Sequence, residues 1–358
     1  MKRRDAYETP GEGTSPRIPA CGLTLLPVLI TFRPENHRSI HQSFPPPLKP
    51  GRVHVIVNPF SSGGKTGRRQ PRILDQIARR VGIDHSVFIT TRPKDAEHST
   101  RAAIEQGAEL VVVVGGDGTV HEVVNGFARN GTMINTSARL GIIGSGTAQD
   151  VIRSFRLPKK IDEQIETACG EQARPVDVGK VSYVARDGRL EEQVFFNECQ
   201  QGIAAVVVQR FQAHHKWMGG FLGFGLTAVT TAARHREQII TVVVDDKPPV
   251  TDSFLGVVVS NGGFAGGGMN FAPKASVDDG LLDIVLIHKQ AIPSRLFNFP
   301  KIYSGGHINL SWISYFQGRN IRISSAERVP VEADGEFLGY LPCTINILPK
   351  SLYLKARV

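Results

Sequence analysis

The chain contains few cysteines, and none of them is paired by spacing. Four occur in 358 residues, at widely separated positions: Cys21, Cys169, Cys199 and Cys343. No Cys-x-x-Cys pair is present, and no histidine lies near them at metal-ligand spacing. Zinc sites and disulfide frameworks depend on such spacing. The sequence therefore argues against both, and it favours a reducing, cytoplasmic environment.

A membrane-spanning run and a secretion signal are also missing from the first 50 residues. The apolar stretch there, residues 22–32, is interrupted by Pro27 and is much shorter than the ~20 residues that cross a bilayer. The charged start is long and contains acids, and no small-residue cleavage pattern follows it. Because the segment is rich in proline, arginine and serine, residues 1–50 are expected to be a disordered leader.

Basic residues are plentiful, but no basic run is interleaved with aromatic residues. That pattern argues against nucleic-acid binding. The net charge of +9 is compatible with an anionic membrane surface, where each nearby basic residue contributes about 1 kcal/mol. It is equally compatible with solubility alone. The length suffices for two domains.

The most informative segment is Gly-Gly-Asp-Gly-Thr at residues 115–119, which follows the apolar run 110–114 and precedes a helix-like stretch at 120–129. Glycines let a backbone approach a polyphosphate, and the N–H groups of a helix start attract anions. The Asp117 carboxylate would repel a bare phosphate, so it favours a divalent cation, or water bound to one, between them. Taken alone, the segment could equally be an ordinary strand-to-helix turn.

Strands and helices alternate through the first half of the chain. Strands are predicted at residues 53–57, 86–90, 110–114 and 140–143, and helices at 69–81 and 95–106. Such alternation predicts βαβ units in a parallel sheet. In parallel sheets the ligand lies beyond the carboxyl ends of the strands. Asn58, Thr90, residues 116–119 and residues 144–147 all fall there.

The pattern changes near residue 175, after which strands follow one another mostly without helices. They are predicted at residues 176–184, 193–197, 238–244, 254–260, 280–287, 321–324 and 340–348. Several are β-branched or alternate in polarity, which favours an antiparallel sandwich. One helix, at about 217–235, interrupts them. Its apolar spacing favours packing on the sheet over contact with a membrane.

Five motifs occur in a fixed order along the chain. They are Asn58-Pro59 with Ser61, Gly63 and Gly64; residues 115–119 with Glu122 and Asn125; residues 140–150; Asp177-Val178-Gly179; and Asp334-Gly335-Glu336. Together with Gly266-Gly267-Gly268 and residues 278–283, this set resembles the diacylglycerol kinase catalytic-domain superfamily. Within it, the set is most similar to the soluble bacterial lipid kinases of the diacylglycerol and sphingosine kinase type. The resemblance extends from about residue 52 to the C-terminus.

The resemblance implies two domains. Residues 51–172 would form a three-layer α/β ATP-binding domain similar to those of NAD kinases and diacylglycerol kinases. Residues 173–358 would form a lipid-binding β-sandwich domain, with residues 334–336 facing the cleft between the two. The lipid headgroup would bind in that cleft.

The resemblance also implies a reaction and the residues that serve it. An ATP- and Mg²⁺-dependent lipid kinase would transfer the γ-phosphate to a lipid hydroxyl, converting diacylglycerol to phosphatidic acid in phospholipid biosynthesis. The implied ATP-binding residues are Asn58, Thr90, Gly115, Gly116, Gly118, Thr119, Glu122, Gly146 and Thr147. Asp117, Asp150 and Asp177 would form a water-linked acidic network around Mg²⁺. Asp334 would be the general base, and Glu336 would orient it or join the network.

A second, structural Mg²⁺ site is implied in the β-rich domain, at Ser276, Asp279 and Leu281. An ordinary hairpin turn is the alternative for that stretch. The resemblance further implies peripheral contact with an anionic membrane, and it is compatible with a homodimer. The acceptor stays open among diacylglycerol, sphingoid bases, monoacylglycerols and polyprenols.

The third motif departs from the family pattern. Gln149 stands where asparagine is usual, Val151 where an aromatic residue follows, and Gly144 where proline is frequent. Any hydrogen bond made by asparagine would need a different geometry with glutamine. Gln149 therefore leaves open a lipid- or nucleotide-binding protein without catalytic activity. An NAD kinase-like phosphotransferase is the other alternative, because NAD kinases also have the Gly-Gly-Asp-Gly loop.

Overall fold

Four strands rich in apolar residues form a parallel sheet in the N-terminal half of the computed structural model, which describes residues 52–82, 85–134, 137–211, 223, 226–228, 230, 231 and 234–357. The strands are β1 (Val53–Val57), β2 (His85–Ile89), β3 (Leu110–Gly115) and β6 (Arg139–Gly144), and a short hairpin supplies β4 (Ala128–Arg129) and β5 (Thr132–Met133). The sheet order is β6-β3-β1-β2. Residues 1–50 and most of the helix predicted at 217–235 lie outside the described residues.

Helices cover both faces of this sheet. They are α1 (Lys65–Val81), α2 (Asp95–Glu105), α3 (Asp117–Gly126), α4 (Asp150–Ser154) and α5 (Ile161–Cys169). Apolar side chains of α1 and α5 pack on one face, while those of α2 and α3 pack on the other. Two apolar faces on one parallel sheet give three layers, as the sequence predicts.

The remainder of the chain is mainly antiparallel. Its strands are β7 (Ala173–Val184), β8 (Leu190–Phe195), β9 (Glu198–Gly202), β10 (Gln238–Val244), β11 (Val250–Ser260), β12 (Phe264–Ala265), β13 (Met269–Asn270), β14 (Leu282–His288), β15 (Ile313–Gly318), β16 (Asn320–Ser324), β17 (Pro330–Ala333) and β18 (Glu336–Lys355). Helices α6 (Ile203–Arg210) and α7 (Ile292–Asn298) and two 3₁₀ turns, Phe299–Ile302 and Gly306–Asn309, connect them. An apolar core is enclosed between the strands.

The long strand β18 joins the two halves. It pairs antiparallel with β7, β16 and β17, and its end, Tyr353 and Leu354, pairs parallel with β6. Strand β7 begins at Ala173, and the domain boundary after residue 172 stays a prediction. No helix of the described residues is long and apolar enough to cross a membrane.

Several elements differ from the prediction. Helix α3 starts at Asp117 and not at residue 120, so the Asp-Gly pair lies in its first turn. Elements α4, α5, α6, β9, β15 and β17 were not predicted. Strand β9 reads Glu-Cys-Gln-Gln-Gly, and no apolar alternation reveals it, because its polar side chains are buried by tertiary contacts.

Candidate active site

Two glycine-rich loops at the ends of β3 and β6 pack backbone against backbone. The N–H of Ser145 donates to the carbonyl of Gly115 over 2.8 Å. A Cβ added at Gly146 would lie 2.6 Å from Cα of Gly116, closer than real contacts allow. Glycine is therefore required at position 146, and the two loops together present backbone N–H groups at one edge of the sheet.

Hydroxyl and amide side chains tie a third loop to these two. Asn58 Nδ2 donates to Thr119 Oγ1 over 3.0 Å, and the N–H of Gly116 donates to Ser61 Oγ over 3.2 Å. Thr90 is buried at the end of β2, where its N–H donates to the carbonyl of Val57. These contacts place the predicted nucleotide residues side by side at the carboxyl edge of the sheet.

Asp117 lies at the point where β3 passes into α3. Its Oδ1 accepts a hydrogen bond of 3.1 Å from the N–H of Val151 in α4. Burial, followed by the negative charge of Asp150, raises the pKa of Asp117 to about 6. Two close carboxylates repel each other, so a bound divalent cation would relieve their repulsion.

Asp150 connects the N-terminal domain to the glycine-rich loop of the β-rich domain. Its two oxygens accept hydrogen bonds of 2.7 Å each, from the N–H of Gly267 and the N–H of Gly268. Arg153 lies 3.0 Å from Oδ1. Burial raises the pKa of Asp150. The carboxylate is thus fixed at the junction of the two domains.

Asp334 is held by four hydrogen-bond donors. Its Oδ1 accepts from the N–H of Asn197 at 2.8 Å and the N–H of Glu198 at 3.0 Å. Its Oδ2 accepts from the N–H of Phe196 at 2.8 Å and lies 2.8 Å from Nδ1 of His121. A carboxylate offers about four lone-pair directions, so Asp334 has one fixed orientation with all of them engaged.

His121 is the partner of Asp334 that the sequence interpretation missed. Without metal-ligand spacing, the sequence predicts a structural or an exposed side chain, and the structure shows it buried and in contact with Asp334. Burial lowers its pKa, but the hydrogen bond to Asp334 and the charge of that residue raise it more, and the net shift is upward. The helical spacing Asp117, His121, Asn125 places three polar residues on one face of α3, a signal that could have identified it.

Glu336 and Glu122 are two further carboxylates near the first turns of α3, and Glu122 belongs to that helix. A Cβ added at Gly118 would be 3.7 Å from Oε1 of Glu336, so this carboxylate lies over the start of the helix. Glu122 Oε2 accepts a hydrogen bond of 3.2 Å from the N–H of Ala96 in the first turn of α2. Burial raises the pKa of Glu122. The hydrogen bond between Ala96 and Glu122 therefore anchors the start of α2 on α3.

Asp177 makes its hydrogen bonds to other parts of the chain than Asp117 and Asp150 do, and its predicted place in their acidic network stays a prediction. It is fully buried, and its oxygens accept hydrogen bonds of 2.7 Å each from the N–H of Lys350 and the N–H of Gly280. Burial raises its pKa. These two backbone donors fix the carboxylate beside the loop that follows residue 275.

The predicted second metal site is a turn with internal hydrogen bonds. Ser276 Oγ donates to Asp278 over 2.8 Å, and the N–H of Leu281 donates to Asp279 Oδ1 over 3.0 Å. Asp278 also pairs with Arg174 at 3.1 Å. Within the described part of the chain, no group of three or more His, Cys, Asp or Glu side chains is arranged to hold a metal ion. The Mg²⁺ site at Ser276, Asp279 and Leu281 stays a prediction.

A cavity of about 520 Å³ connects the predicted catalytic residues to an apolar pocket. Its polar end is lined by Gly116, Asp117, Gly118, Gly146, Thr147, Asp150 and Asp334. Its apolar end is lined by residues that include Val207, Leu255, Phe271, Leu296, Phe299 and Trp312. Other predicted site residues are not among the lining residues: Asn58, Thr90, Gly115, Thr119, Glu122, Asp177 and Glu336. An apolar pocket that ends at carboxylates and glycine loops fits a lipid whose polar end meets a nucleotide.

Comparison with known proteins agrees with this geometry. Residues 52–181 match the diacylglycerol kinase catalytic domain, and residues 197–356 match the YegS C-terminal NAD kinase beta sandwich-like domain. The chain is 27% identical to the diacylglycerol kinase of Bacillus subtilis (strain 168), with 81% of this chain and 91% of that protein covered. It is 26% identical to the diacylglycerol kinase of Mycobacterium tuberculosis, with 84% and 94% covered.

A crystal structure of a candidate diacylglycerol kinase from Bacillus anthracis str. Sterne has the same fold. It superposes with a TM-score of 0.71 at 26% identity, over 88% of this chain and 99% of that one. The predicted α/β domain followed by a β-rich domain is therefore confirmed, and so is the predicted family. The chain belongs to the diacylglycerol kinase catalytic superfamily, and it is a lipid kinase.

Proposed function

We propose that the chain transfers the γ-phosphate of Mg·ATP to the hydroxyl of a lipid alcohol, with diacylglycerol as the acceptor indicated by its named relatives. The observation that supports this proposal is the continuous cavity, which has glycine loops and carboxylates at one end and aliphatic and aromatic side chains at the other. An NAD molecule would not need such an apolar end.

The proposed nucleotide site consists of the three loops that follow β1, β3 and β6. Backbone N–H groups near Gly116 and Gly146 would bind the phosphates, as they do at other glycine-rich helix starts. Asp117 and Asp150 would hold Mg²⁺, directly or through water. When bound, the cation neutralises the charge that develops on the phosphates, which is the main requirement of phosphoryl transfer.

Asp334 is the proposed acceptor of the hydroxyl proton. As the lipid oxygen forms its bond to the γ-phosphorus and the bond to ADP breaks, the proton would pass to Oδ2 of Asp334. Three of its four donors are backbone N–H groups, and His121 is the one side chain among them. A lipid hydroxyl would therefore replace the His121 contact on Oδ2, while the backbone keeps the carboxylate in place.

Peripheral membrane contact is proposed through the segment around α7. Leu296 and Phe299 line the apolar end of the cavity, whereas the side chain of Phe297 between them is 82% exposed. Lys289 and Lys301 flank the segment. Exposed aromatic and aliphatic residues with lysines beside them fit an anionic bilayer surface, from which a lipid could enter the cavity.

The proposal is tested by transfer of radiolabelled γ-phosphate from Mg·ATP into a total lipid extract, with NAD in a parallel reaction. A labelled lipid, identified by its chromatographic mobility, is expected. Asp117→Ala and Asp334→Ala should each abolish the transfer, and Asp334→Ala should leave ATP binding nearly unchanged.

Two results would contradict the proposal. Label in NADP and not in lipid would favour an NAD kinase, and ATP binding without any transfer would favour a binding protein. Equal loss of ATP binding in both variants would overturn the separate roles assigned to Asp117 and Asp334.

A further inference from the structure

Two buried carboxyl groups in the cavity wall have no role in the mechanism above. They belong to Glu198 on β9 and Glu332 on β17, whose exposed fractions are 5% and 0%. Glu332 is paired directly with Gln200 across the two strands. Glu198 is two residues before Gln200, so it is the diagonal neighbour of Glu332 on the same face of the sheet. The two carboxyl groups are hydrogen-bonded to each other and form an acid pair.

A hydrogen bond between two carboxyl groups needs a proton, because an ionised carboxylate can only accept. Burial is the main cause that raises the pKa of both groups, that of Glu332 to about 8 and that of Glu198 well above its ordinary value. The side-chain amide of Gln200 donates to Glu198 as well. The acid pair therefore holds a shared proton at neutral pH.

Both members of the acid pair also hold the turn that carries Asp334. The N–H of Asp334 donates to the carbonyl of Glu198 over 2.9 Å, and the N–H of Glu198 donates to Oδ1 of Asp334 over 3.0 Å. Oε2 of Glu332 accepts a hydrogen bond of 2.9 Å from the N–H of Gly335. A change in the separation of the two acids would therefore be transmitted to the Asp334 carboxylate from both sides of the turn.

The turn itself is a tight hairpin loop of two residues, since Ala333 is paired with Glu336. Asp334 and Gly335 have φ values of 49° and 83°, the left-handed conformation that an Asp-Gly hairpin turn requires. That conformation is uncommon for a residue other than glycine. The hydrogen bond from Gly335 to Glu332 stabilises it from inside the hairpin.

Other titratable groups face the acid pair from neighbouring elements. They are His121 on α3, Cys199 on β9 and Asp334 in the turn. Burial raises the pKa of the Cys199 thiol well above its ordinary value, so it stays neutral. The pKa of His121 is also raised, and its titration has to be separated from that of the acids. If the acids lost their shared proton, two carboxylates would meet beside the charge of Asp334, and like charges repel.

We infer that Glu198 and Glu332 are positioning residues, whose shared proton keeps the Asp334 turn in place for removal of the proton from the lipid hydroxyl. The inference rests on the proposed kinase function. In the reaction the hydroxyl oxygen bonds to the γ-phosphorus of ATP, ADP leaves, and the hydroxyl proton passes to Asp334. The proton of the acid pair stays where it is. When alkaline pH removes it, the two carboxylates separate, the turn shifts and turnover falls.

The test measures kcat for lipid phosphorylation at saturating substrate as a function of pH. From about pH 7 to about pH 9 the kcat of the unaltered protein should fall ~10-fold, as expected for one group that titrates near 8. Glu332→Gln should fall less than ~2-fold over that range, because its amide can donate to Glu198 without titrating and its oxygen can still accept from Gly335. Glu171→Gln, an exposed matched control, should keep the original profile.

A second substitution at the same position separates the hydrogen bonds from the volume of the side chain. Leucine fills a similar space but can neither accept from Gly335 nor share a proton. At about pH 7, Glu332→Leu should lower kcat by at least ~10-fold, and Glu332→Gln should recover most of that loss. The Kd of Mg·ATP, measured by calorimetry, should stay within ~2-fold in both variants, since neither residue is part of the proposed nucleotide site. Thermal unfolding confirms that each variant is folded at each pH.

The outcomes distinguish this inference from the kinase proposal. An alkaline fall that persists in Glu332→Gln, or that disappears in His121→Gln alone, would overturn the role of the acid pair. Absence of transfer by the unaltered protein at every pH would instead count against the kinase function. Infrared difference spectra between about pH 7 and about pH 9 test the shared proton without turnover. The carbonyl band of a protonated carboxylic acid should be lost on going to alkaline pH, and this change should be absent from Glu332→Gln; the same change in both proteins would contradict the inference.

Discussion

At the scale of single residues, the proposed nucleotide site at the carboxyl edge of the parallel sheet depends on glycines whose neighbours leave no space for a Cβ atom. Replacing Gly146 by alanine would place a Cβ at 2.6 Å from Cα of Gly116, and the two loops would have to separate. We expect Gly146→Ala to lower the free energy of unfolding by ~1–3 kcal/mol and to weaken ATP binding. Thermal unfolding and calorimetric titration with Mg·ATP measure the two effects.

Gly118→Ala is the matched control for stability. A Cβ there meets its nearest atom at an ordinary 3.7 Å, and alanine favours a helix more than glycine does. Its free energy of unfolding should be unchanged or higher by up to ~1 kcal/mol. Equal destabilisation by both substitutions would show that the close approach of the loops is not the cause.

The unusual Gln149 has a positive φ of 55°, in the left-handed region that asparagine tolerates better than glutamine. This backbone conformation gives a physical reason for the asparagine usual in the family. We expect Gln149→Asn to raise the free energy of unfolding by up to ~1 kcal/mol, measured by chemical denaturation. Gln149→Val should lower it, because a β-branched residue is strained there. A loss of stability in both variants would contradict the explanation.

At the scale of elements, the five-residue helix α4 contacts the glycine-rich loop of the β-rich domain through the carboxylate of Asp150. Asn at position 150 could accept the hydrogen bond of only one of Gly267 and Gly268 through its oxygen, and its amide group would face the other N–H. We expect Asp150→Asn to lower the free energy of unfolding by ~1–3 kcal/mol, independently of any effect on activity.

Asp162→Asn provides the comparison for α4, because Asp162 forms an exposed ion pair with Arg72 at 3.1 Å. Exposed pairs contribute only ~0–1 kcal/mol. Denaturation curves should therefore show a clearly larger loss of stability for Asp150→Asn than for Asp162→Asn. Similar small changes in both would mean that the contact of Asp150 with the glycine-rich loop contributes little to domain packing.

At the scale of the whole molecule, buried groups with raised pKa values couple stability to pH. The pKa of Glu332 rises from 4.5 to about 8 on burial, and Glu198 and His121 also shift upward. The folded state then retains more protons than the unfolded state, so the free energy of unfolding falls as pH rises from about 5 to 8. The slope is ~1.4 kcal/mol per pH unit for each extra proton.

Glu332→Gln should make this slope smaller, since glutamine does not titrate. Denaturation midpoints measured across the same pH range provide the test, with Glu171→Gln as the control that keeps the original slope. An unchanged slope in Glu332→Gln would show that the buried acid pair does not hold the extra proton.

Much of the fold and part of the site could be predicted from the sequence. Apolar runs such as residues 110–114 and glycine motifs such as 115–119 are local signals, and they placed the parallel strands and the nucleotide edge. His121 and Glu332 could not be assigned in the same way. Their partners, Asp334 and Glu198, are distant in the sequence. Helix packing brings His121 to Asp334, and the pairing of β17 with β9 brings Glu332 to Glu198.

The sequence by itself determined the alternation of strands and helices in the N-terminal half, the change to strands after residue 175 and the family motifs, because backbone preference and hydrophobic periodicity are properties of neighbouring residues. Only the tertiary structure decided which carboxylates share a site. It placed Asp117 with Asp150 and Asp334 on one cavity, and it placed Asp177 beside Gly280 and Lys350. Burial and charge proximity follow from contacts between distant segments, and these contacts set the pKa shifts.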